Sequence, residues 1–271
     1  MYCKILFTDL DGTLLTSQKQ VSPAMRGLLE RMLRAGGRLV FTSGRALPSI
    51  LQVAQKSGLL FPDTVIIAAN GNEIYDCASQ TFWLRKSVPT DVAADILHLA
   101  RDLGIYIQSY DDTSVVSSSR GPELARYLKN TGMEAVITQD ILGTIGRPPS
   151  KLIAISLTDH EKLELLRSRI LARYRDTVAA IFSCREYLEI FDKTAGKGNA
   201  LRFVCSRLGI APSECAASGD AENDISMLDA AGTAIAMANA DPAVKEHACF
   251  VTEKDNDHDG LGEAIEKYFR L

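Results

Sequence analysis

FTDLDGTLL, residues Phe7 to Leu15, is an apolar run that stops at two aspartates one residue apart and then turns through Gly-Thr. Carboxylates at positions i and i+2 project to the same side of an extended chain. Asp9 and Asp11 therefore repel each other unless something cationic lies beside them. Working outward, Lys4 to Thr8 reads as a short buried strand. Ser22-Pro23 opens a helix as N-cap and first-turn proline, Met25, Leu28, Leu29, Met32 and Leu33 form its apolar stripe, and Gly36-Gly37 ends it. RLVFT (38–42) is the next strand, ALPSILQVAQKSG (46–58) the next helix and TVIIAA (64–69) the third strand. That order, βαβαβ, predicts an α/β fold with a doubly wound parallel sheet.

The rhythm then changes. NEIYDC (72–77) and TFWLR (81–85) read as a hairpin, and a helix over 89–104 leads into two adjacent strand patterns, IYIQSY and TSVVSSS, which predict antiparallel pairing. A helix near Pro122 to Asn130 is followed by an irregular stretch to Pro149, the strand KLIAISL, a long helix from Asp159 to Arg175 and two short strands, VAAIFS and YLEIF. Residues 85–190 thus read as an inserted α+β domain. The sheet domain is discontinuous, over 1–84 and 191–271. Its second part carries helix KGNALRFVCSRLG, strand CAAS, helix NDISMLDAAG, strand TAIAM, helix PAVKEHA, strand CFVT and a terminal helix LGEAIEKYF.

Composition narrows the function classes. At 271 residues and 46% hydrophobic content, the chain can form one large or two medium cores. The formal charge is −4 and no Lys/Arg block stands out, which argues against a nucleic-acid partner. The apolar start is too short for a secretory segment, and no run approaches the roughly 20 residues that span a bilayer. A cytoplasmic protein, monomeric or a small homo-oligomer, with no membrane partner is the expectation. The six cysteines lack metal-site spacing and read mostly as reduced core residues. None of the four histidines is assigned a role, although His258 falls in a loop that comes near the site.

Ligands of an open parallel sheet lie beyond the carboxyl ends of its strands, and four polar clusters fall at such places. DLDGT follows the first strand, TSGR (42–45) the second, AGKGNA (195–200) precedes a helix, and SGDAEND (218–224) follows a strand. Together they make an inventory for handling a phosphoryl group with a divalent ion. Asp9 is placed to attack phosphorus as a carboxylate nucleophile. Asp11 is placed to protonate the leaving alkoxide and then deprotonate water, a contribution of about 100- to 10,000-fold. Asp9 and Asp220 suit Mg2+, which prefers hard oxygen ligands. The Ser43 hydroxyl and the amides around Leu10 and Gly44 can donate to phosphoryl oxygens while Lys197 clamps them. Arg45 has two readings of equal weight, binding a substrate anion or tying its loop to a carboxylate. Asn70 and Gly71 read as cleft floor, with Asn70 a candidate substrate contact. Trp83 and Tyr187 read as packing residues ahead of an aromatic clamp.

DLDGTLL, the serine of TSGR, the lysine of KGNAL and GDAENDISML, in this order and spacing, resemble the four motifs of the haloacid dehalogenase superfamily. The place of the insertion, ANGN at 69–72 and the closing run TEKDNDHDG resemble its Cof-like hydrolases, which carry a large type-two cap. The resemblance implies a Mg2+-dependent phosphatase with Asp9 as nucleophile, Asp11 as acid/base with its backbone carbonyl on the metal, Ser43 as the second-motif hydroxyl and Lys197 as phosphate clamp. It further implies Asp220 as a direct metal ligand, Asp224 acting through a metal-bound water or holding Lys197, and Asn223 touching the phosphoryl group alongside Gly44, Arg45 and Asn70. The expected substrate is a small phosphate ester such as a sugar phosphate or a nucleotide or cofactor phosphate. A phosphomutase or phosphotransferase is the alternative within the same chemistry, and a phospho-accepting signalling module is a third reading that the length and the insertion disfavour. QDILGTIGRPP (139–149) matches no motif and leaves specificity open.

Overall fold

Strand β1 (Ile5–Thr8), in a computed structural model that describes residues 2–61 and 63–271, is the centre of an eight-stranded sheet. All four of its residues are buried, as expected of a run with no polar alternation. The chain continues through α1 (Pro23–Arg34), β2 (Arg38–Thr42), α2 (Leu47–Lys56) and β3 (Val65–Ala68). Helix α1 begins where the Ser22 hydroxyl accepts from the Met25 amide at 2.9 Å, and it buries Met25, Leu28, Leu29 and Met32. A 3-10 turn at Ala69–Gly71 reverses the chain into the hairpin β4 (Glu73–Asp76) and β5 (Thr81–Arg85). These two strands extend the sheet antiparallel, so the expected parallel sheet is mixed at one end.

The inserted part carries α3 (Thr90–Asp102), β6 (Tyr106–Tyr110), β7 (Ser114–Ser117), α4 (Pro122–Thr131), β8 (Glu134–Ile137), α5 (Ile141–Ile145), β9 (Lys151–Ile155), α6 (His160–Tyr174), β10 (Val178–Cys184) and β11 (Tyr187–Asp192). Its strands form a separate six-stranded sheet in the order β10-β11-β9-β6-β7-β8. β6 and β7 pair antiparallel as their adjacency predicts. The stretch between α4 and Pro149, read from sequence as irregular, contains β8 and α5. β8 is an edge strand of half-exposed residues paired only with β7, and α5 has five residues capped by the Asp140 carboxylate, so neither has a long periodic signature.

The chain then returns to the first sheet with α7 (Lys197–Leu208), β12 (Cys215–Gly219), α8 (Ile225–Leu228), β13 (Thr233–Ala236), α9 (Pro242–Lys245), β14 (Phe250–Val251) and α10 (Gly260–Tyr268). The sheet order is β14-β13-β12-β1-β2-β3-β4-β5, with β1 parallel to both β2 and β12. The helices expected over 223–232 and 242–248 are shorter than their patterns, each four residues long. The apolar core of this sheet and the clusters of the inserted part are distinct. No helix among the described residues is long and apolar enough to cross a membrane. Only Cys205 and Cys215 of the six cysteines are buried, and Cys184 and Cys249 are exposed, which corrects the expectation of a mainly core role.

Candidate active site

The parallel pairing of β2, β1 and β12 brings the ends of three strands side by side, and with them Ser43, Asp9 and Asp220. Strand order alone therefore assembles residues separated by more than 200 positions. Lys197 joins them as the first residue of α7. Its ammonium, fully buried, bonds Asp9 Oδ1 and Asp224 Oδ1, each at 2.6 Å. Asp224 is fixed in turn, because its Oδ2 accepts from the amides of Asp220 and Ala221 at 3.0 and 3.2 Å. Asp220 accepts from the Thr13 hydroxyl at 2.8 Å.

Close backbone approach makes two glycines obligatory here. Gly12, at φ +80°, lies where an added Cβ would come within 2.3 Å of Asp220 Oδ2. Gly198, one residue past Lys197, lies where a Cβ would come within 2.0 Å of the Ser226 carbonyl oxygen. Since that neighbour is backbone, Gly198→Ala is expected to lower stability by about 1–3 kcal/mol, read as a reduced urea midpoint with an unchanged slope.

Electrostatics divide the acids into two groups. Asp9, Asp220 and Asp224 offer carboxylate oxygens that all lie within 4.8 Å of one another. Burial pushes the Asp9 carboxyl up to about 7, with Asp224 and Asp11 adding to the rise and Lys197 opposing it. Asp220 is raised too, by burial and by the charges of Asp9 and Asp224. Lys197 is held above its ordinary range, because the two aspartates outweigh the cost of its burial. Three crowded carboxylates, Asp9 and Asp224 buried and Asp220 half-buried, with one lysine beside two of them form a donor set of hard oxygens that fits a small divalent cation.

Asp11 belongs to the other group. Its carboxylate is turned away from this cluster, toward Arg45 (Nε to Oδ2 2.5 Å, Nη2 to Oδ1 2.7 Å) and Lys19 (2.7 Å). Although burial favours its neutral form, these two cations hold it below the usual carboxylate range. Of the two readings of Arg45, the structure has the one in which it ties a carboxylate. The same guanidinium also bonds the Asn130 carbonyl of α4 at 3.1 Å and the Ser49 hydroxyl at 3.0 Å.

A cavity of about 320 Å³ opens over these groups. Asp9, Asp11, Ser43, Gly44, Arg45, Asp220 and Asn223 line its floor. Lys197, Asp224 and Asn70 lie behind it, Asn70 accepting from the Asn223 side-chain amide at 3.0 Å. The roof comes from α4 and from β10–β11 of the inserted part. Tyr187, read from sequence as a packing residue, lines this cavity, whereas Trp83 does not and has Arg207 stacked 4.6 Å above its ring. His258 bonds Asp255 at 2.6 Å and is absent from the lining.

Four contributors escaped the sequence reading. Lys19 follows the DxDGT turn and had only its charge to mark it. The buried pair Lys151 and Glu189 lies beneath the roof, where Lys151 also donates to the Gly44 carbonyl. Glu222 stands inside SGDAEND yet points at the inserted part, bonding Arg167 at 2.9 Å and the Phe182 amide at 3.2 Å.

This architecture has well-matched counterparts. A solved haloacid dehalogenase-like hydrolase from Bacteroides thetaiotaomicron superposes with a TM-score of 0.89 at 30% identity, covering 98% of this chain and 100% of its own. The HMP-PP phosphatase of Cronobacter sakazakii is 29% identical over 86% of this chain and 84% of its own length. The 5-amino-6-(5-phospho-D-ribitylamino)uracil phosphatase of Bacillus subtilis is 27% identical over 97% of each. A family profile described as haloacid dehalogenase-like hydrolase matches residues 6–265, and the chain belongs to that family.

Proposed function

We propose that this chain is a Mg2+-dependent phosphatase that hydrolyses a small phosphorylated metabolite through an aspartyl-phosphate on Asp9. The observation that carries the reading is Lys197, wholly buried behind the floor of a roofed cavity and bonded to both Asp224 and Asp9, the latter lining that floor beside Asp220. Two relatives named as phosphatases of small phosphorylated molecules support the same class.

In this reading Asp9, Asp220 and the Asp11 carbonyl hold Mg2+, with Asp224 behind them. When bound, the ion neutralises charge on the phosphoryl oxygens. An Asp9 carboxylate oxygen forms the bond to phosphorus as the bond to the ester oxygen breaks, and Asp11 gives the leaving oxygen a proton. Water then gives a proton to Asp11 as its oxygen bonds phosphorus, and the Asp9–phosphorus bond breaks to release phosphate and restore the Asp9 carboxylate. Ser43 and the Gly44 amide donate to the phosphoryl oxygens, with Asn223 beside them, and Lys197 fixes the nucleophile's orientation. Arg45 and Lys19 hold Asp11 ionised, so proton donation requires this contact to loosen as the leaving group arrives. Closure of the roof, the inserted part from α3 to β11 acting as the cap, keeps water out during the first step.

Phosphate release from a panel of sugar, nucleotide and cofactor phosphates, with and without Mg2+, tests the proposal. Transfer of the phosphoryl group to a second position of the substrate without free phosphate would replace it with a mutase. Proton competition supplies a second check. Asp9 titrates near 7 in the metal-free site, so protons displace the cation at low pH. The rise in Tm on adding Mg2+ is therefore expected to be larger at pH 8 than at pH 5.5. An equal rise at both would argue against Asp9 as a ligand.

A further inference from the structure

The loop after β2 presents two donors to the cavity, the Ser43 hydroxyl and the Gly44 amide, and two successive peptide units hold them differently. Both peptides are trans, so each points its N–H away from its C=O. In the Ser43–Gly44 unit the carbonyl accepts from the Asn70 amide at 3.1 Å. Backbone next to β3 therefore aims the Gly44 N–H, which has no partner among the described residues.

The Gly44–Arg45 unit is held from the other side of the cavity. Its N–H, that of Arg45, donates to Ser43 Oγ at 3.2 Å, and its carbonyl accepts from the Lys151 ammonium of the inserted part. A serine hydroxyl has one proton and two lone pairs. Because the Arg45 amide fills a lone pair and Ser43 Oγ donates to no protein atom among the described residues, the proton is left for a ligand.

Lys151, on β9, is 1% exposed, so it acts on the cavity only through what it bonds. Its second partner is Glu189 on the neighbouring strand β11. Glu189 is fixed in turn, accepting from the Ser183 hydroxyl at 2.9 Å and from the Asn70 side-chain amide at 3.4 Å. A buried ion pair adds little net stability over apolar residues of the same volume. What this pair supplies is one oriented carbonyl beside the phosphate loop.

We propose that Lys151 is a positioning residue for phosphoryl transfer. Anchored by Glu189, it fixes the Gly44–Arg45 peptide so that the Ser43 hydroxyl keeps its proton directed at the phosphoryl group. The inserted part thereby serves the chemistry through a side chain that never touches the ester. The assignment rests on the phosphatase reading above.

The test is a mutant cycle in the full-length enzyme between Ser43→Ala and the paired change Lys151→Met/Glu189→Gln, which removes the ammonium without leaving a lone buried charge. Turnover is measured with saturating Mg2+ on the best ester of the phosphate-release panel. Loss of one preorganised donor costs about 10²- to 10³-fold, so misaiming it should cost less. The paired change is expected to lower kcat by about 10- to 100-fold where Ser43 is present, with KM within about threefold, and by less than about threefold in the Ser43→Ala background. If it does not fold, Lys151→Met/Glu189→Leu, an apolar replacement of the kind buried pairs tolerate, takes its place under the same criteria. Equal losses in the two backgrounds, a loss confined to KM, or no loss would overturn the positioning role while leaving the phosphatase standing. Wild-type enzyme that released phosphate from no ester of the panel would remove the phosphatase reading, and this role of Lys151 with it.

Discussion

Asp9→Asn is expected to lower turnover by about 10⁴- to 10⁶-fold while the protein stays folded. The amide keeps the shape of the carboxylate but cannot attack phosphorus. It also removes one of three crowded acids, so its effect on stability should run opposite to its effect on activity. The folded-state pKa of Asp9, about 7, lies above its ordinary value near 4. A group shifted upward contributes stability that is fully present below its unfolded pKa and lost as pH rises through the folded one. Across pH 4 to 7 the metal-free wild type therefore loses stability from this group that the asparagine variant keeps. At pH 8 in EDTA the variant should melt above wild type, and it should lose most of the stabilisation by Mg2+. A variant that melted below wild type in EDTA would contradict this assignment of strain.

Lys197→Met carries the opposite sign. Its removal leaves Asp9 and Asp224 facing each other in a buried site, and breaking a buried pair by deleting one partner costs about 3–5 kcal/mol. Both carboxylates lose the only ammonium that bonds them among the described residues. Urea denaturation in EDTA at pH 8 should show that loss, and it should shrink at pH 5, where a shared proton replaces part of the missing charge. Added Mg2+ should restore part of the stability without restoring turnover. Full activity in this variant would remove Lys197 from the mechanism.

The sequence announces the floor of the cavity far better than its roof. Asp9, Ser43, Lys197 and Asp220 are each embedded in a short run that ends a strand or starts a helix, so the local pattern fixes where each stands relative to the sheet. The contacts of the roof have no such local mark. Lys151 and Glu189 lie 38 positions apart on neighbouring strands, and Arg45 reaches the Asn130 carbonyl across 85 positions. Tyr187 is half-buried on a strand, and its type and spacing match those of a packing tyrosine. Ser183 reaches the cavity at a slip in the β10–β11 pairing, a property that no single strand displays. β8 and α5 escaped because four or five residues cannot establish a period.

The chain passes between the two sheets twice, once after β5 and once after β11. The Lys86 ammonium, on the first crossing, donates to both the carbonyl and the hydroxyl of Thr194 on the second, each at 2.7 Å. The two straps are thus buckled together at one point. A movement of the roof about that tie would part Arg45 from Asn130 and Glu222 from Arg167 together, since both contacts join the floor to the roof.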